Sequence, residues 1–259
     1  MVEPDVLRIA GEVLSSRLWV GTARYPSPEI LIQALEKAQP GLVTVSVRRL
    51  NLQAPQETFL DLLLGRFRLL PNTAGCFTAE EAIFLAQLAR EALQTNWIKL
   101  EVVGDEVILW PEAEELLRAA RELVRMGFVV LAYAPDDPIV CQRLADIGCA
   151  AVMPLAAPIG SGQGLRDPER LLLLRHKLAG IPLVIDAGIG SPADACLAME
   201  LGFDAVLVNT AIAEAQHPVL MAEAMRLAVD AGRKALLAGR IPRVSYARPS
   251  SPMEGLPFS

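Results

Sequence analysis

Lysine is scarce in this chain. Of its 24 basic residues only Lys37, Lys99, Lys177 and Lys234 are lysines, and the rest are arginines. Lys99 sits inside an apolar run, Trp97-Ile98-Lys99-Leu100-Glu101-Val102-Val103, where an arginine would supply the same charge. An arginine cannot supply a nucleophile. It stays protonated, whereas desolvation lowers the pKa of a lysine and exposes an amine that attacks a carbonyl to give an imine. Period-two alternation places Lys99 and Glu101 on one face of a strand, about 6.6 Å apart, with Ile98, Leu100 and Val102 on the other. A carboxylate at that spacing can move protons at the carbons beside an imine. The competing reading is a Lys–Glu ion pair that only plugs a core, but burying two charges for packing alone is costly.

A second acid falls at the end of another apolar run, Val184-Ile185-Asp186, followed by Ala187-Gly188-Ile189-Gly190-Ser191-Pro192. Asp186 reads equally as a second acid/base group or as a cap on the approach to a helix. The glycines let backbone approach a ligand closely, and Ser191-Pro192 opens a helix whose first N–H groups can face an anion. Two further clusters have the same character: Pro158-Ile159-Gly160-Ser161-Gly162-Gln163-Gly164, and Val208-Asn209-Thr210-Ala211. Singly each is an ordinary turn. Three together after consecutive strands point to a phosphorylated ligand. Arg48-Arg49 suits an anionic group or rim salt bridges. His176 reads as solvated, His217 as lining a helix start, and Cys76 as a buried thiol.

These groups need a frame, and the chain supplies a repeating one. Strand patterns cover Leu18–Gly21, Leu42–Val47, Arg68–Pro71, Trp97–Val103, Phe128–Tyr133, Ala150–Met153, Leu183–Asp186 and Ala205–Val208. Helix patterns cover Pro28–Lys37, a shorter Glu57–Leu64, Thr78–Gln94, Glu112–Met126, Pro138–Ile147, Pro168–Leu178, Pro192–Leu201 and Pro218–Ala238. Ser27-Pro28, Asp137-Pro138, Asp167-Pro168 and Ser191-Pro192 start helices, and Gly127, Gly148, Gly180, Gly202 and Gly239 stop them. Eight βα units in this length predict a (β/α)8 TIM barrel of phosphate-binding type, with chemistry at the C-terminal strand ends. An open doubly wound sheet would carry a glycine fingerprint in its first turn, and Gly21-Thr22-Ala23-Arg24 is not one. We expect one barrel domain over residues 1–248, with Val6-Leu7 and Ile9-Ala10 plugging its floor, and a flexible tail over 249–259.

Composition narrows the classes. The 259 residues carry 30 acids against 24 bases and are 53% hydrophobic. A net charge of −6 argues against nucleic-acid binding. No apolar run approaches the ~18 residues of a membrane span, and the N-terminus lacks the pattern of a secretory signal. A cytoplasmic protein is expected. Cys76, Cys141, Cys149 and Cys196 form no C-x-x-C pair, so neither structural zinc nor a disulfide framework is expected.

Over roughly Leu18 to Gly239 the chain resembles the bacterial thiazole synthases of thiamine biosynthesis. The resemblance rests on Ser16-Arg17-Leu18 with Gly21-Thr22, Val43-Thr44-Val45 with Arg48-Arg49, Leu70-Pro71-Asn72-Thr73-Ala74-Gly75-Cys76, and the run from Trp97 to Val102. It continues through Val152-Met153-Pro154, Pro158 to Gly162, Asp186 to Gly190, Ala198 to Gly202, and Asn209 to Ala213. It implies that Lys99 forms an imine with the ketone of 1-deoxy-D-xylulose 5-phosphate, with Glu101 and Asp186 as acid/base groups. It also implies sugar-phosphate contacts at Gly160, Ala187, Gly188, Asn209 and Thr210. Sulfur would come as a thiocarboxylate on a small sulfur-carrier protein, and dehydroglycine would close the ring. No metal or bound organic cofactor is implied, and the family suggests a homo-oligomer, dimer or tetramer. The chain departs from the usual pattern at Ala23, Arg24, Trp110, Ala132 and Ala156. On the residues alone, an imine-forming aldolase and a non-catalytic phosphate-binding scaffold remain open alternatives.

Overall fold

The computed structural model describes residues 5–49 and 60–250, without the side chain of Arg49. Two short strands come first, β1 (Leu7–Ile9) and β2 (Glu12–Leu14), paired as an antiparallel hairpin. The parallel sheet follows: β3 (Leu18–Gly21), β4 (Val43–Ser46), β5 (Leu69–Asn72), β6 (Trp97–Leu100), β7 (Val129–Ala134), β8 (Ala151–Pro154), β9 (Val184–Asp186) and β10 (Ala205–Val208). Its order is β8-β7-β6-β5-β4-β3-β10-β9, and a parallel bridge between Val152 and Leu183 joins the two ends. The result is a TIM barrel, as the alternating pattern predicts.

Helices cross between the strands: α1 (Pro28–Ala38), α2 (Ala79–Leu93), α3 (Ala113–Arg125), α4 (Pro138–Ile147), α5 (Pro168–Lys177), α6 (Pro192–Glu200), α7 (Thr210–Ala213) and α8 (Pro218–Ala238). Capping explains their starts. Ser27 accepts from the Ile30 N–H, Thr78 from Glu81, Asp137 from Ile139 and Val140, and Asp167 from Arg170. Gly148 ends α4 at φ 100°, a left-handed conformation open to glycine at little cost. The helix expected over Glu57–Leu64 falls partly outside the described residues. From Leu60 onward the chain forms successive turns, with Leu64 N–H and Phe67 N–H bonded back to Leu60 and Leu63 carbonyls.

Alternate strand residues face opposite ways, and two separate packing layers result. Ile98, Leu100 and Val102 pack outward with Val43, Val45 and the apolar helix faces. Trp97 packs inward with Trp19, Leu42, Leu70, Leu131, Met153 and Val184, and Leu7, Ile9 and Leu14 of the hairpin join this inner cluster. Polar contacts fasten the hairpin end: Arg68 reaches Glu12 at 2.5 Å and lies over the Trp97 ring, while Asp5 pairs with Arg17 and Arg233. Residues 251–259 of the expected tail lie outside the described residues, and Pro249 and Ser250 are exposed.

β6 is shorter than the Trp97–Val103 pattern predicts. Glu101 N–H donates to the Thr73 hydroxyl instead of continuing a ladder, and Val103 pairs antiparallel with Pro111. Strand-like alternation persists past the point where the neighbouring main chain stops being a strand.

Candidate active site

The inward side chains of β6 and β9 meet near the C-terminal end of the barrel. Lys99 Nζ donates to Glu101 Oε1 at 2.8 Å and lies 2.6 Å from Asp186 Oδ2. The Asp186 contact lies off the hydrogen-bond axis and leaves Oδ2 without an aligned donor, so its content is chiefly Coulombic. All three side chains are less than a tenth exposed, whereas Lys37, Lys177 and Lys234 are exposed. The trio carries two acids against one base, and Lys99 Nζ also lies 5.5 Å from the centre of the Tyr133 ring.

The electrostatics correct one expectation. Burial pushes the Lys99 ammonium towards deprotonation, but the charges of Asp186 and Glu101 outweigh it and hold the lysine above its ordinary value. The resting lysine is thus a paired ammonium and not a free amine. Burial pushes Asp186 up to about 6, the Lys99 charge pulling against it and the Glu101 charge adding to it. A carboxyl of that strength trades protons readily near neutral pH.

Thr73 is the residue that sequence reasoning passed over. Fully buried after β5, its hydroxyl donates to the Glu101 carbonyl and accepts from the Glu101 N–H, both at 2.8 Å. Its own N–H donates to the Lys99 carbonyl. One side chain thereby fixes the backbone that carries Glu101 beyond the end of β6. Within Asn72-Thr73-Ala74-Gly75 no local pattern marks this threonine, because its partner Glu101 lies just past β6.

The trio lies on the wall of a cavity of about 730 Å³. Gly160, Ala187, Gly188, Asn209 and Thr210 line it too, so the structure gathers every expected site residue around one space. The loops after β8 and β9 pack main chain to main chain, with Gly164 N–H donating to the Gly188 carbonyl at 2.8 Å. A Cβ on Gly188 would lie 2.5 Å from Ala157 N, at φ +94°. Ala187 itself holds φ 72°, an uncommon conformation for a residue with a Cβ. Asn209 packs against Gly21, where a Cβ would approach it to 2.6 Å, and its Oδ1 is buried without a partner.

Ahead of the first turn of α6, the N–H groups of Gly190 and Ser191 both donate to Asp194 Oδ2, at 3.0 and 2.8 Å. Asp194 thereby fixes the loop that leads into the helix. Cys76 is buried and its thiol is pushed up by desolvation, which agrees with an inert thiol. His176 is exposed on α5, and His217 stands at the start of α8 without a capping bond. Arg48 lines the cavity, while the side chain of Arg49 lies outside the described residues. Among the described residues, no group of three or more His, Cys, Asp or Glu is arranged to hold a metal ion, and no helix is long and apolar enough to cross a membrane.

Known proteins are similar to this chain over nearly its whole length. The family model for thiazole biosynthesis protein ThiG matches residues 8–252. The thiazole synthase of Azorhizobium caulinodans is 53% identical over 252 residues, 97% of this chain and 94% of that protein. The thiazole synthase of Geobacter sulfurreducens is 54% identical over 254 residues, 97% of each. Among solved structures, a chain of the Amycolatopsis orientalis BexX/CysO complex superposes with a TM-score of 0.83 at 33% identity, covering 93% of this chain and 98% of its own length. With its barrel and its sequence both matched over nearly their whole length, the chain belongs to the ThiG family of thiazole biosynthesis proteins.

Proposed function

We propose that the chain is a thiazole synthase that holds 1-deoxy-D-xylulose 5-phosphate as an imine on Lys99. The carrying observation is the buried Lys99–Glu101–Asp186 trio on the wall of a cavity that the glycine-rich loops after β8 and β9 also line. The sugar phosphate lies against Gly160, Ala187, Gly188, Asn209 and Thr210, with its ketone directed at Lys99. As the ketone enters, the ammonium passes a proton to Asp186, whose raised pKa fits it to receive one. The amine then adds to the ketone carbon, and the oxygen, taking one proton from the nitrogen and the other back from Asp186, leaves as water.

The resulting iminium keeps the positive charge in place, so the two carboxylates that paired the ammonium now stabilise the intermediate. Glu101 and Asp186 next move protons between the carbons beside the imine, which isomerises. Sulfur arrives as a thiocarboxylate on the C-terminal glycine of a small carrier protein. Dehydroglycine closes the ring, and a thiazole phosphate carboxylate leaves Lys99 free. A protein partner is supported by the similar BexX chain, which was crystallised with CysO.

Incubation of the purified protein with the phosphosugar, dehydroglycine and the thiocarboxylated carrier tests the whole reading. Mass spectrometry is expected to find the thiazole phosphate carboxylate only in the complete mixture. Cleavage of the phosphosugar without any sulfur donor would favour an aldolase instead.

A further inference from the structure

Arg48 has no part in the chemistry above, yet it lines the same cavity. It follows β4 in the 3-10 turn Val47–Arg49. In the ring of eight strands β4 lies four places from β8, and Lys99 on β6 is two places from each. The loops assigned to the sugar phosphate follow β8, β9 and β10. Arg48 therefore occupies the wall facing the first of these loops, with the reacting lysine between.

Charge sets it apart. Among the described side chains lining the cavity, the cations are Lys99 and Arg48. Lys99 is matched by two carboxylates at 2.8 and 2.6 Å. Glu214 at the mouth is taken up by Arg24 at 2.7 Å. The carboxylate facing Arg48 is Glu81, but its Oε2 stands 3.8 Å away and already accepts the Phe77 N–H at 2.8 Å. Among the described residues, the other polar side-chain neighbour of the guanidinium is Cys76 Sγ at 3.9 Å, a weak acceptor. Arg48 lies alongside Gly75, where a Cβ would come no nearer than 3.7 Å. Its side chain is about half exposed, at 47%. A guanidinium offers two parallel N–H groups that match a carboxylate.

We propose that Arg48 binds the carboxylate of the second small substrate, the imino acid dehydroglycine, across the cavity from the loop after β8. This rests on the thiazole synthase reading. The product of that reaction carries a phosphate and a carboxylate, and the cavity then offers the carboxylate a cation of its own, opposite the loop after β8.

The test compares wild type, Arg48→Ala and Arg48→Lys, with dehydroglycine supplied as the imine that glyoxylate forms with ammonia. Three quantities are measured: the borohydride-trapped phosphosugar adduct, the glyoxylate dependence of thiazole formation, and the carrier dependence. For Arg48→Ala the adduct is expected to form as in wild type. Half-saturation by glyoxylate rises about 10- to 100-fold, and half-saturation by carrier is unchanged. Arg48→Lys recovers part of the loss, keeping the charge but not the paired donors. Unchanged glyoxylate dependence overturns the proposal. So does a loss that follows the carrier, which would assign Arg48 to the terminal thiocarboxylate, or an Arg48→Ala protein that no longer traps the phosphosugar. Absence of any adduct in wild type would instead overturn the thiazole synthase reading itself.

Discussion

Along β6 and just past it the inward side chains run Trp97, Lys99 and then Glu101; leading into β4 and along it they run Leu42, Thr44 and Ser46; on β9 they run Val184 and Asp186. At the N-terminal end each of these strands contributes an apolar group to a closed cluster capped by Leu7, Ile9 and Leu14. At the C-terminal end the same strands contribute polar or charged groups to an open cavity. The hydrophobic effect stabilises the floor. The upper layer costs stability, because three charged groups are taken from water and only partly repaid by one another. Fold stability and chemistry are thereby assigned to opposite ends of one set of strands, and this separation can be attacked from either side.

The largest effect is expected at the upper layer. Asp186→Asn should lower turnover by about 10²- to 10⁴-fold while leaving the protein folded. Wild-type activity should decline as pH falls through about 6, where Asp186 takes up a proton, and that limb should be absent from the variant. The apparent value belongs to the coupled trio and not to one residue. Stability moves in the opposite sense. Between about pH 4 and 6 the folded protein holds a proton that the unfolded chain has lost, so Asp186 makes stability decrease as pH rises through that window. Urea titrations should show a flatter profile there for Asp186→Asn.

At the floor, Ile9 is 1% exposed, and Ile9→Ala should cost about 2–5 kcal/mol in denaturant unfolding. Turnover per folded molecule should be unchanged, and a parallel loss of turnover would break the separation. Thr73→Val joins both quantities. Removing the hydroxyl leaves buried main-chain groups of Glu101 unpaired, costing about 1–3 kcal/mol, and loosens Glu101, so adduct formation should also slow. The smallest effect belongs to Arg24→Ala, whose pair with Glu214 is exposed. Such pairs contribute about 0–1 kcal/mol, and activity should stay within the error of the assay.

The floor and the frame were largely legible in the sequence. Eight strands and seven principal helices stand within a few residues of their patterns, because alternation, N-caps such as Ser27 and Asp137, and stops such as Gly148 act locally. The face shared by Lys99 and Glu101 was legible for the same reason. What escaped depended on groups distant in sequence. Asp186 was legible as a strand-end acid, but its direct contact with Lys99 was not; with Glu101 it raises the lysine pKa where burial alone would lower it. Thr73 looks like a loop residue until β5 and β6 lie side by side. Asp194 reads as an ordinary acid in a first helical turn, yet it also accepts from Gly190 and Ser191 and fixes the loop ahead of the helix.

The central claim is that the one buried lysine is the covalent anchor. Borohydride reduction in the presence of 1-deoxy-D-xylulose 5-phosphate, followed by peptide mass spectrometry, tests it directly against a Lys99→Arg control. The account predicts one stable adduct, on the peptide containing Lys99, that is absent from the control. An adduct on Lys37, Lys177 or Lys234, or full thiazole formation by Lys99→Arg, would contradict it.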